Sequence, residues 1–443
     1  MDQYLKQTLQ EKLATGLTAD PPVLTRREIR LPQVPGKALA VIGMRRSGKT
    51  SFLWQCLTDL LASGSPRETL VFLNFEDERL AGIDATALSF LLEEYYRQYP
   101  QFRDKQNVTF FLDEIQLVQG WETFARRVLD SEQVRLFLSG SSATMLSREV
   151  ATSMRGRALE VTVYPFSFRE SLAHRDELPD KPLEQLPKGS RSQLEHAFRE
   201  YLSAGGFPEA QGQGLAVRDR RPVLQSYVDV AVLRDVIERH GVSNPTALRW
   251  LQRHLLGAPT APFSIQKFYD VLKSQGLPVG KDSVHAFLAY LEDAFLIRTT
   301  SILTASERQR MVNPRKAYPI DPGLIPLYER TGRANTGHAL ETAVFLELQR
   351  RGYEVHYFRS QTGTEIDFHA AHPTGATLLI QVCAEAADPA TFAREIRALH
   401  NAGGQFPDAR PCLILLDASL PTPDVPDSLE IRPALQWFLE SPA

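Results

Sequence analysis

The sequence predicts an α/β protein whose first domain is built on a parallel β-sheet. Short apolar runs typical of buried strands alternate with helical segments, as in parallel sheets that are covered by helices on both faces. The run at residues 38–42 is followed at once by Gly43-Met44-Arg45-Arg46-Ser47-Gly48-Lys49-Thr50, which fits G-x-x-x-x-G-K-[ST]. A helical pattern follows this motif. The sequence therefore predicts a nucleotide at the carboxyl ends of the strands.

Each type of residue in this motif has a chemical purpose. The two glycines let successive backbone N–H groups point at phosphate oxygens. Lys49 adds a positive charge beside the β- and γ-phosphates, and the Thr50 hydroxyl is placed to ligate Mg²⁺. Residues 43–50 are therefore the candidate ATP-binding loop, with ATP and Mg²⁺ as the expected cofactors.

Two later strands also end in polar residues. The apolar run at residues 108–112 closes on Asp113 and Glu114, which suits an acid that holds Mg²⁺ through water and an acid that orients or deprotonates the attacking water. The run at residues 134–138 closes on Ser139, Gly140 and Ser141. A serine there either contacts the γ-phosphate or caps the following helix, and the sequence leaves both open.

Composition limits the class of protein. A chain of 443 residues has room for two to four domains, and 43% apolar with 23% charged residues is ordinary for a globular protein. The net charge of −3 neither favours nor excludes nucleic acid. Three widely separated cysteines offer no disulfide framework and no zinc knuckle, which fits a reducing cytoplasm. Without a long apolar run or a signal-peptide pattern, we expect a soluble cytoplasmic protein with no membrane partner.

Several segments together resemble a prokaryotic AAA+ ATPase family with a C-terminal domain of unassigned function. The resemblance covers nearly the whole chain, and it implies a P-loop AAA+ parallel sheet with a helical lid, then a winged helix, then an α/β nuclease-like domain. The segments that carry it are residues 74–80, 112–116 with Trp121, 140–142, 156–157, 164–168, 205–209, 313–318 and 363–368.

The resemblance also implies roles for individual residues near the nucleotide. Asn74 is similar to the polar residue on the second strand that restrains the catalytic glutamate, here Glu114. Ser141 or Ser139 is similar to the residue known as sensor 1.

Further implied roles concern the neighbouring subunit and the adenine. Arg155 and Arg157 lie where the family places an arginine finger, which completes the site of a neighbour and requires self-association into a ring or partial ring. A solvated loop arginine is the alternative. Pro208, after Gly205 and Gly206, lies in the implied lid near the adenine, although a helix that ends in two glycines needs no ligand.

Residues 264–298 give two helical segments across a short turn and then a strand, which resembles a winged helix. Some winged helices contact DNA, whereas many contact protein, and the second helical segment here carries few basic residues. If the module binds DNA, the residues expected in a groove or at phosphates are Lys281, Ser283, His285, Arg298, Arg308 and Arg310.

The last hundred residues resemble the PD-(D/E)xK nuclease fold. Such nucleases hold Mg²⁺ with two or three oxygen ligands and position water with a lysine. Glu341 and Asp367 match the acidic positions, whereas Gln381 keeps an oxygen without its charge. Cys383 stands where the lysine is required. A cysteine cannot supply a fixed cation, so we expect this domain to be inactive in cleavage.

The leading hypothesis is an oligomeric ATPase that binds or remodels DNA, with branched DNA among the candidate forms. The alternatives are a nucleotide-controlled switch or scaffold that binds a protein partner, and an ATP-dependent nuclease, which Cys383 disfavours. The expected parts are an N-terminal helix and approach segment (1–36), the AAA+ core (37–170), a polar linker (171–195), the helical lid (196–240), the winged helix (241–303), a connector (304–335) and the nuclease-like domain (336–443).

Overall fold

A computed structural model describes residues 1–140, 154, 156–211, 215–329, 335–360, 363–385, 388–417 and 429–441. The chain divides into two compact units, of which the first is Met1–Tyr164 with Asp293–Phe295 and the second is Pro165–Glu292 with Leu296–Ala443. Within the described ranges, no helix is long and apolar enough to cross a membrane.

The first unit contains a five-stranded sheet in the order β2-β3-β4-β1-β5, and every pair of neighbours in it is parallel. This confirms the predicted α/β class with a parallel sheet. All residues of β1 and of β3 are buried, as expected for continuous apolar strands that are covered on both faces. The strands are β1 (Ala38–Ile42), β2 (Leu70–Asn74), β3 (Val108–Asp113), β4 (Val134–Gly140) and β5 (Ala158–Thr162).

The helices of the first unit cover this sheet. They are α1 (Gln3–Thr18), α2 (Lys49–Ala62), α3 (Ala85–Gln98) and α4 (Trp121–Ser131). Stacked aromatic side chains fill the space between α2 and the sheet: Trp54 lies 4.0 Å from Phe72, and Phe111 lies 4.8 Å from Phe137, between ring centroids. This rigid core supports the carboxyl edge of the sheet, where the polar residues follow the strands.

The second unit begins with a largely helical region. Its first helix starts with a capping box, in which Ser167 and Glu170 each accept a hydrogen bond from the backbone N–H of the other. The helices are α5 (Phe168–His174), α6 (Lys188–Ala204) and α7 (Val217–Val230), and α7 continues as a π-helical segment at Ala231–Glu238.

A buried carboxylate joins two distant turns in this unit. Asp321 accepts hydrogen bonds from the backbone N–H of Gly206 at 2.6 Å and of Gly323 at 2.9 Å. A Cβ atom at Gly205 would lie 1.6 Å from the Asp321 carboxylate, and one at Gly206 would lie 2.1 Å from the Phe166 carbonyl oxygen, so close packing requires glycine at both positions. Burial raises the pKa of Asp321 to about 7.

The middle of the second unit holds a small antiparallel sheet in the order β6-β8-β7. We expected the winged helix to end at residue 303. Strand β8 lies beyond that boundary but pairs with both β6 and β7, so the small sheet extends past residue 303. The strands are β6 (Pro262–Phe263), β7 (Ile297–Thr300) and β8 (Arg315–Pro319), and the helices are α8 (Pro245–Gly257), α9 (Ile265–Ser274), α10 (Lys281–Asp293) and α11 (Glu307–Val312).

The C-terminal part contains a mixed five-stranded sheet in the order β13-β12-β11-β10-β9. Strand β10 runs antiparallel to β9 and β11, whereas β11, β12 and β13 are parallel. The strands are β9 (Glu354–Arg359), β10 (Glu365–Ala371), β11 (Thr377–Cys383), β12 (Arg410–Leu415) and β13 (Glu430–Pro433), and the helices are α12 (Ile325–Tyr328), α13 (Thr336–Arg350), α14 (Pro389–Gly403) and α15 (Ala434–Leu439).

Candidate functional site

The glycine-rich loop connects β1 to α2 at the carboxyl edge of the parallel sheet. Gly43 and Gly48 have φ angles of 153° and 98°, which side chains rarely tolerate, and a Cβ atom at Gly43 would lie 2.3 Å from the Val163 carbonyl oxygen. Lys49 Nζ lies 3.1 Å from the carbonyl oxygens of Gly43 and Met44. The loop therefore folds around a buried ammonium group. Of the remaining loop residues, Met44 is buried, Arg45 is half-buried and Arg46 is exposed.

One buried polar atom of this loop has no partner. The Ser47 hydroxyl is fully buried, and its oxygen makes no hydrogen bond to any described residue. A phosphate oxygen bound in this loop could accept a hydrogen bond from the Ser47 hydroxyl and pair with the charge of Lys49. The loop thus fits the triphosphate that its sequence predicts.

Three side chains converge on the carboxylate of Asp113, which is fully buried at the end of β3. Thr50 Oγ1 donates to Asp113 Oδ2 at 2.9 Å, and Asn74 Nδ2 donates to the same oxygen at 2.7 Å. Ser139 Oγ donates to Asp113 Oδ1. Burial raises the pKa of Asp113, although the hydrogen bonds from Ser139 and Thr50 oppose that shift. The hydroxyl and carboxylate oxygens of Thr50 and Asp113 are ligands of the type that Mg²⁺ prefers.

The structure corrects the expected role of Asn74. Its side chain contacts Asp113 and not Glu114, because Asn74 and Asp113 lie opposite each other in the register of β2 and β3. Gln116 takes the expected place of Asn74, since its Nε2 donates to Glu114 Oε2. The Glu114 backbone N–H donates to Ser139 Oγ at 3.1 Å, so Ser139 contacts both acids.

Arg27 is a supporting residue that no sequence motif indicates. Its guanidinium is buried and donates to the Ser47 carbonyl oxygen at 2.9 Å and to the Tyr164 carbonyl oxygen at 2.6 Å. Its backbone exchanges two hydrogen bonds with the Gln55 side chain, at 2.7 and 3.1 Å. Arg27 thereby ties the phosphate-binding loop to its surroundings, but a single arginine in an irregular segment has no recognisable pattern.

The proposed arginine-finger position is partly described. Arg157 forms a two-pronged ion pair with Asp130, at 2.9 and 3.0 Å, and the Asp130 side chain is 54% exposed. Arg155 and Ser141 lie outside the described residues. Pro208 begins a 3-10 helix, Pro208–Gln211, in the second unit, and its contact with adenine stays a prediction.

The DNA-contact candidates on α10 do not all share one face. Lys281 and His285 are exposed and lie one helical turn apart. Ser283 is half-buried, because residues two positions apart point to different sides of a helix. A groove contact would therefore use Lys281 and His285 together.

The remaining candidates lie on β7 and α11. Arg298 is half-buried, Arg308 is exposed, and Arg310 pairs with Glu307 at 3.0 Å. Next to them, Met311 and Val312 are 80% and 73% exposed. This segment thus offers both cationic and apolar contacts.

A lysine from β8 lies at the centre of the expected nuclease-like site. The structure brings Glu341 and Asp367 together, and Lys316 Nζ lies between them, 3.3 Å from Glu341 Oε1 and 3.6 Å from Asp367 Oδ1. The same ammonium lies 2.7 Å from Glu365 Oε1, and the Lys316 side chain is 3% exposed. Sequence spacing missed Lys316 because it lies far from Gln381 along the chain.

Two further oxygens of this site accept backbone hydrogen bonds. Gln381 Oε1 accepts from the Asp367 backbone N–H at 3.2 Å, and Asp367 Oδ2 accepts from the Val382 N–H at 3.0 Å. Burial, reinforced by Glu341, raises the pKa of Asp367 to about 8. Cys383 is buried nearby. In the described part of the chain, no group of three metal-binding side chains could hold an ion. The ammonium of Lys316 is the counter-ion of these acids in the structure.

Relatives of this chain exist in distant prokaryotes. It is 32% identical to the uncharacterized protein MJ1544 of Methanocaldococcus jannaschii over 382 residues, which is 85% of this chain and 81% of that protein. The chain belongs to the MJ1544 family. A relative in this family, an uncharacterized protein of Haemophilus influenzae, is 29% identical over 347 residues, which is 78% of this chain and 82% of the relative.

Two regions of this MJ1544 family chain match known domain families. Residues 35–172 match the family described as AAA domain, and residues 195–332 match a domain of unknown function (DUF8612). The first match makes the N-terminal region AAA+ ATPase-like. The chain is also similar to the solved structure of the Walker-type ATPase PABY2304 of Pyrococcus abyssi, with 15% identity and a TM-score of 0.42, over 74% of this chain and 95% of that one.

Proposed function

We propose that this protein is an ATPase that uses Mg²⁺, with residues 37–170 as its nucleotide-binding core. The observation that carries the proposal is the convergence of Thr50, Asn74 and Ser139 on Asp113 beside the phosphate-binding loop. Residues 43–50 would hold the phosphates, and Thr50 with Asp113 would hold Mg²⁺. Bound Mg²⁺ supplies positive charge that neutralises the phosphate oxygens.

Glu114 is the proposed base. Its carboxylate would accept the proton of the attacking water, while Ser139 holds the Glu114 backbone and Lys49 neutralises charge on the phosphate that is transferred. Gln116 holds the Glu114 carboxylate in the structure. We therefore propose that Glu114 leaves Gln116 when it engages water.

Two substitutions test this assignment. Lys49→Ala should lose nucleotide binding, because the ammonium that pairs with the phosphates is removed. Glu114→Gln should bind ATP with unchanged affinity and lose about 10²–10⁴ in turnover, the usual contribution of a general base. Binding is measured with a fluorescent ATP analogue and turnover by phosphate release. Full turnover in Glu114→Gln would show that another group activates the water.

We propose that Arg157 completes the site of a neighbouring subunit, with Arg155 as the alternative. The support is the weakness of the pair that holds Arg157, since an ion pair with an exposed partner is worth about 1 kcal/mol or less. Mixing Arg157→Ala with Lys49→Ala subunits should restore part of the ATPase activity. At some interfaces the intact phosphate-binding loop of an Arg157→Ala subunit would meet the intact Arg157 of a Lys49→Ala subunit. If no activity returns, Arg157 is not the finger.

We propose that residues 241–319 form a winged helix that contacts DNA, and that residues 196–240 serve as a lid after a linker at 171–195. The support is the order helix, strand, two helices, then two antiparallel strands, with Lys281 and His285 exposed on α10. Phosphate contacts would come from Arg298 on β7 and from Arg308 and Arg310 on α11. ATPase rate and binding should be measured with forked, junction and duplex DNA, and affinity should fall as salt rises.

A protein partner is the second candidate for this module. The observation that favours it is the exposed pair Met311 and Val312 on α11, since exposed apolar side chains suit protein contacts better than phosphates. Binding to DNA that does not weaken as salt rises would remove the phosphate-contact model and favour this candidate.

We propose that the C-terminal nuclease-like domain does not cleave nucleic acid. The support is that Lys316 pairs with Glu341, Glu365 and Asp367, so the carboxylates that would hold Mg²⁺ already have a counter-ion. A supercoiled plasmid incubated with Mg²⁺ should remain intact. Nicking by the wild-type protein that disappears in Asp367→Ala would overturn this proposal.

A further inference from the structure

A polar cavity of about 430 Å³ lies between α7 and α8 in the second unit, where no function is assigned. We name it the donor cavity. Most of its polar lining consists of hydrogen-bond donors: Arg221 and Gln225 from α7, and Arg249, Gln252 and Arg253 from α8. A cavity with such a lining suits a ligand that carries acceptors and negative charge.

One donor in the cavity is buried. Gln252 is 5% exposed, and its amide lies against the Tyr328 hydroxyl, where it opposes the rise that burial causes in the pKa of Tyr328. The same hydroxyl accepts from Gln225 Nε2 at 3.0 Å. An amide nitrogen carries two N–H groups, so Gln252 keeps a donor for a ligand oxygen in the cavity.

The arginines of the donor cavity differ in how they are held. Arg221 donates to the carbonyl oxygens of Pro326 and Leu327, at 3.1 and 3.0 Å, so its guanidinium is fixed. Arg249 and Arg253 form no ion pair with any described residue. The acids at the cavity are Asp229 and Glu329, so three guanidinium groups face two carboxylates.

An apolar cavity of about 820 Å³ shares Arg253, Tyr328 and Glu329 with the donor cavity. We name it the aromatic cavity. Its lining includes Trp250, which is 39% exposed, and Phe263 and Phe268, which are buried. Lys267 adds another cation to this lining. A donor-rich cavity thus adjoins an aromatic surface, with Arg253 in both.

Single-stranded nucleic acid suits a donor-rich cavity that adjoins an aromatic one. Each nucleotide joins an acceptor-only anion to a flat base, and proteins bind such chains with a cationic groove and aromatic side chains for stacking. We propose that the two cavities bind single-stranded DNA, with a phosphate held by Arg249, Gln252 and Arg253 and a base stacked on Trp250. The inference extends the proposed DNA contact of this module to a second surface.

This surface is distinct from the proposed groove contact. The proposed phosphate donors and the indole of Trp250 lie on α8, whereas Lys281 and His285 lie on α10. Duplex binding through α10 and single-strand binding through the cavities can therefore be separated by mutation.

The test measures the affinity of the full chain for fluorescein-labelled oligothymidine by anisotropy, with a labelled duplex in parallel. Trp250→Ala should weaken single-strand binding about 5- to 100-fold, since each stacked base contributes substantially, while Trp250→Phe keeps most of the affinity. Arg253→Ala should reduce the slope of log K against log salt by about 0.7. Arg218→Ala is the matched control, because Arg218 is 87% exposed and lines neither cavity.

The outcomes separate this inference from the proposed function. Unchanged oligothymidine affinity in both Trp250→Ala and Arg253→Ala overturns it, and so does duplex binding without oligothymidine binding, which leaves the α10 contact standing. A peptide rich in glutamate and tryptophan that binds where oligothymidine does not would assign the cavities to a protein partner and also overturn it. Selective loss of single-strand affinity, with unchanged thermal unfolding and duplex affinity, supports it.

Discussion

Replacing Lys316 by methionine would remove the only cation among three carboxylates in the described nuclease-like site. Methionine keeps much of the apolar stem, so the change removes charge and little volume. Lys316 lies within 4 Å of Glu341, Glu365 and Asp367, at 3.3, 2.7 and 3.6 Å. The substitution therefore leaves Glu341 and Asp367 buried without a counter-ion.

The magnitude follows from burial. Breaking a buried ion pair by removing one partner costs about 3–5 kcal/mol. The Lys316, Glu341 and Asp367 side chains are 3%, 13% and 13% exposed, whereas that of Glu365 is 31% exposed and can be hydrated. We therefore expect Lys316→Met to lower the local stability of α13 and β10 by about 3 kcal/mol near pH 8, the lower end of this range.

The loss should also depend on pH. Lys316 lowers the pKa of Asp367, so its removal lets the folded carboxyl bind a proton more tightly. A carboxyl with a raised folded pKa stabilises the fold when protonated, and this contribution is lost as pH rises through that pKa. The cost of Lys316→Met should therefore shrink to about 1 kcal/mol near pH 5.

Hydrogen–deuterium exchange is the appropriate assay, because it reports local opening in a chain of two units. Amides of α13 and β10 should exchange about 10²-fold faster in Lys316→Met near pH 8 after correction for intrinsic rates, since each 1.4 kcal/mol is about tenfold. Lys273→Met, at an exposed position of the same unit, is the matched control. Adding Asp367→Asn should restore part of the protection.

Two results would refute the electrostatic reasoning. A change below about 1 kcal/mol near pH 8 would mean that the pairs contribute no more than surface ion pairs do. An equal loss near pH 5 and pH 8, with no rescue by Asp367→Asn, would show that packing and not charge is responsible.

Three further predictions concern other parts of the chain. Arg27→Ala should destabilise the first unit by about 2–4 kcal/mol and weaken ATP binding, because two buried carbonyl groups lose a donor. Urea unfolding with and without ATP measures both effects. Arg26→Ala, at an exposed neighbouring position, is the control and should change neither. Asp321→Asn should flatten the pH dependence of thermal unfolding, since a carboxyl with a raised pKa of about 7 stabilises the fold at low pH and loses that contribution as pH rises through 7; parallel curves for variant and wild type would contradict this. Asp130→Ala should change stability by less than about 1 kcal/mol and keep ATPase activity, whereas Arg157→Ala should lose about 10³-fold if it is the finger; equal losses in both would make the pair structural.

Much of the first unit follows from its sequence because its motifs are contiguous. A loop that wraps a phosphate needs glycines, a lysine and a hydroxyl within a few residues, so residues 43–50 were recognisable without coordinates. Continuous apolar runs predicted the parallel strands, and acids at the end of one run predicted the position of Asp113. Such features depend on local backbone geometry and on the pattern of burial along one segment.

Contacts between distant segments could not be read in this way. Strand register places Asn74 opposite Asp113, so the Asn74 side chain donates to Asp113, whereas Gln116 donates to Glu114. The resemblance supplied roles for these residues but not the register that determines their contacts.

By itself, the sequence determined the α/β class, the phosphate-binding loop and the acids of the third strand, because these are written in short stretches of chain. It also placed Cys383 where the resembled nucleases carry a lysine. Only the tertiary structure placed Lys316 among Glu341, Glu365 and Asp367, because that ammonium comes from a strand of another sheet. The physical reason is that burial and pairing of charges depend on which segments meet in space.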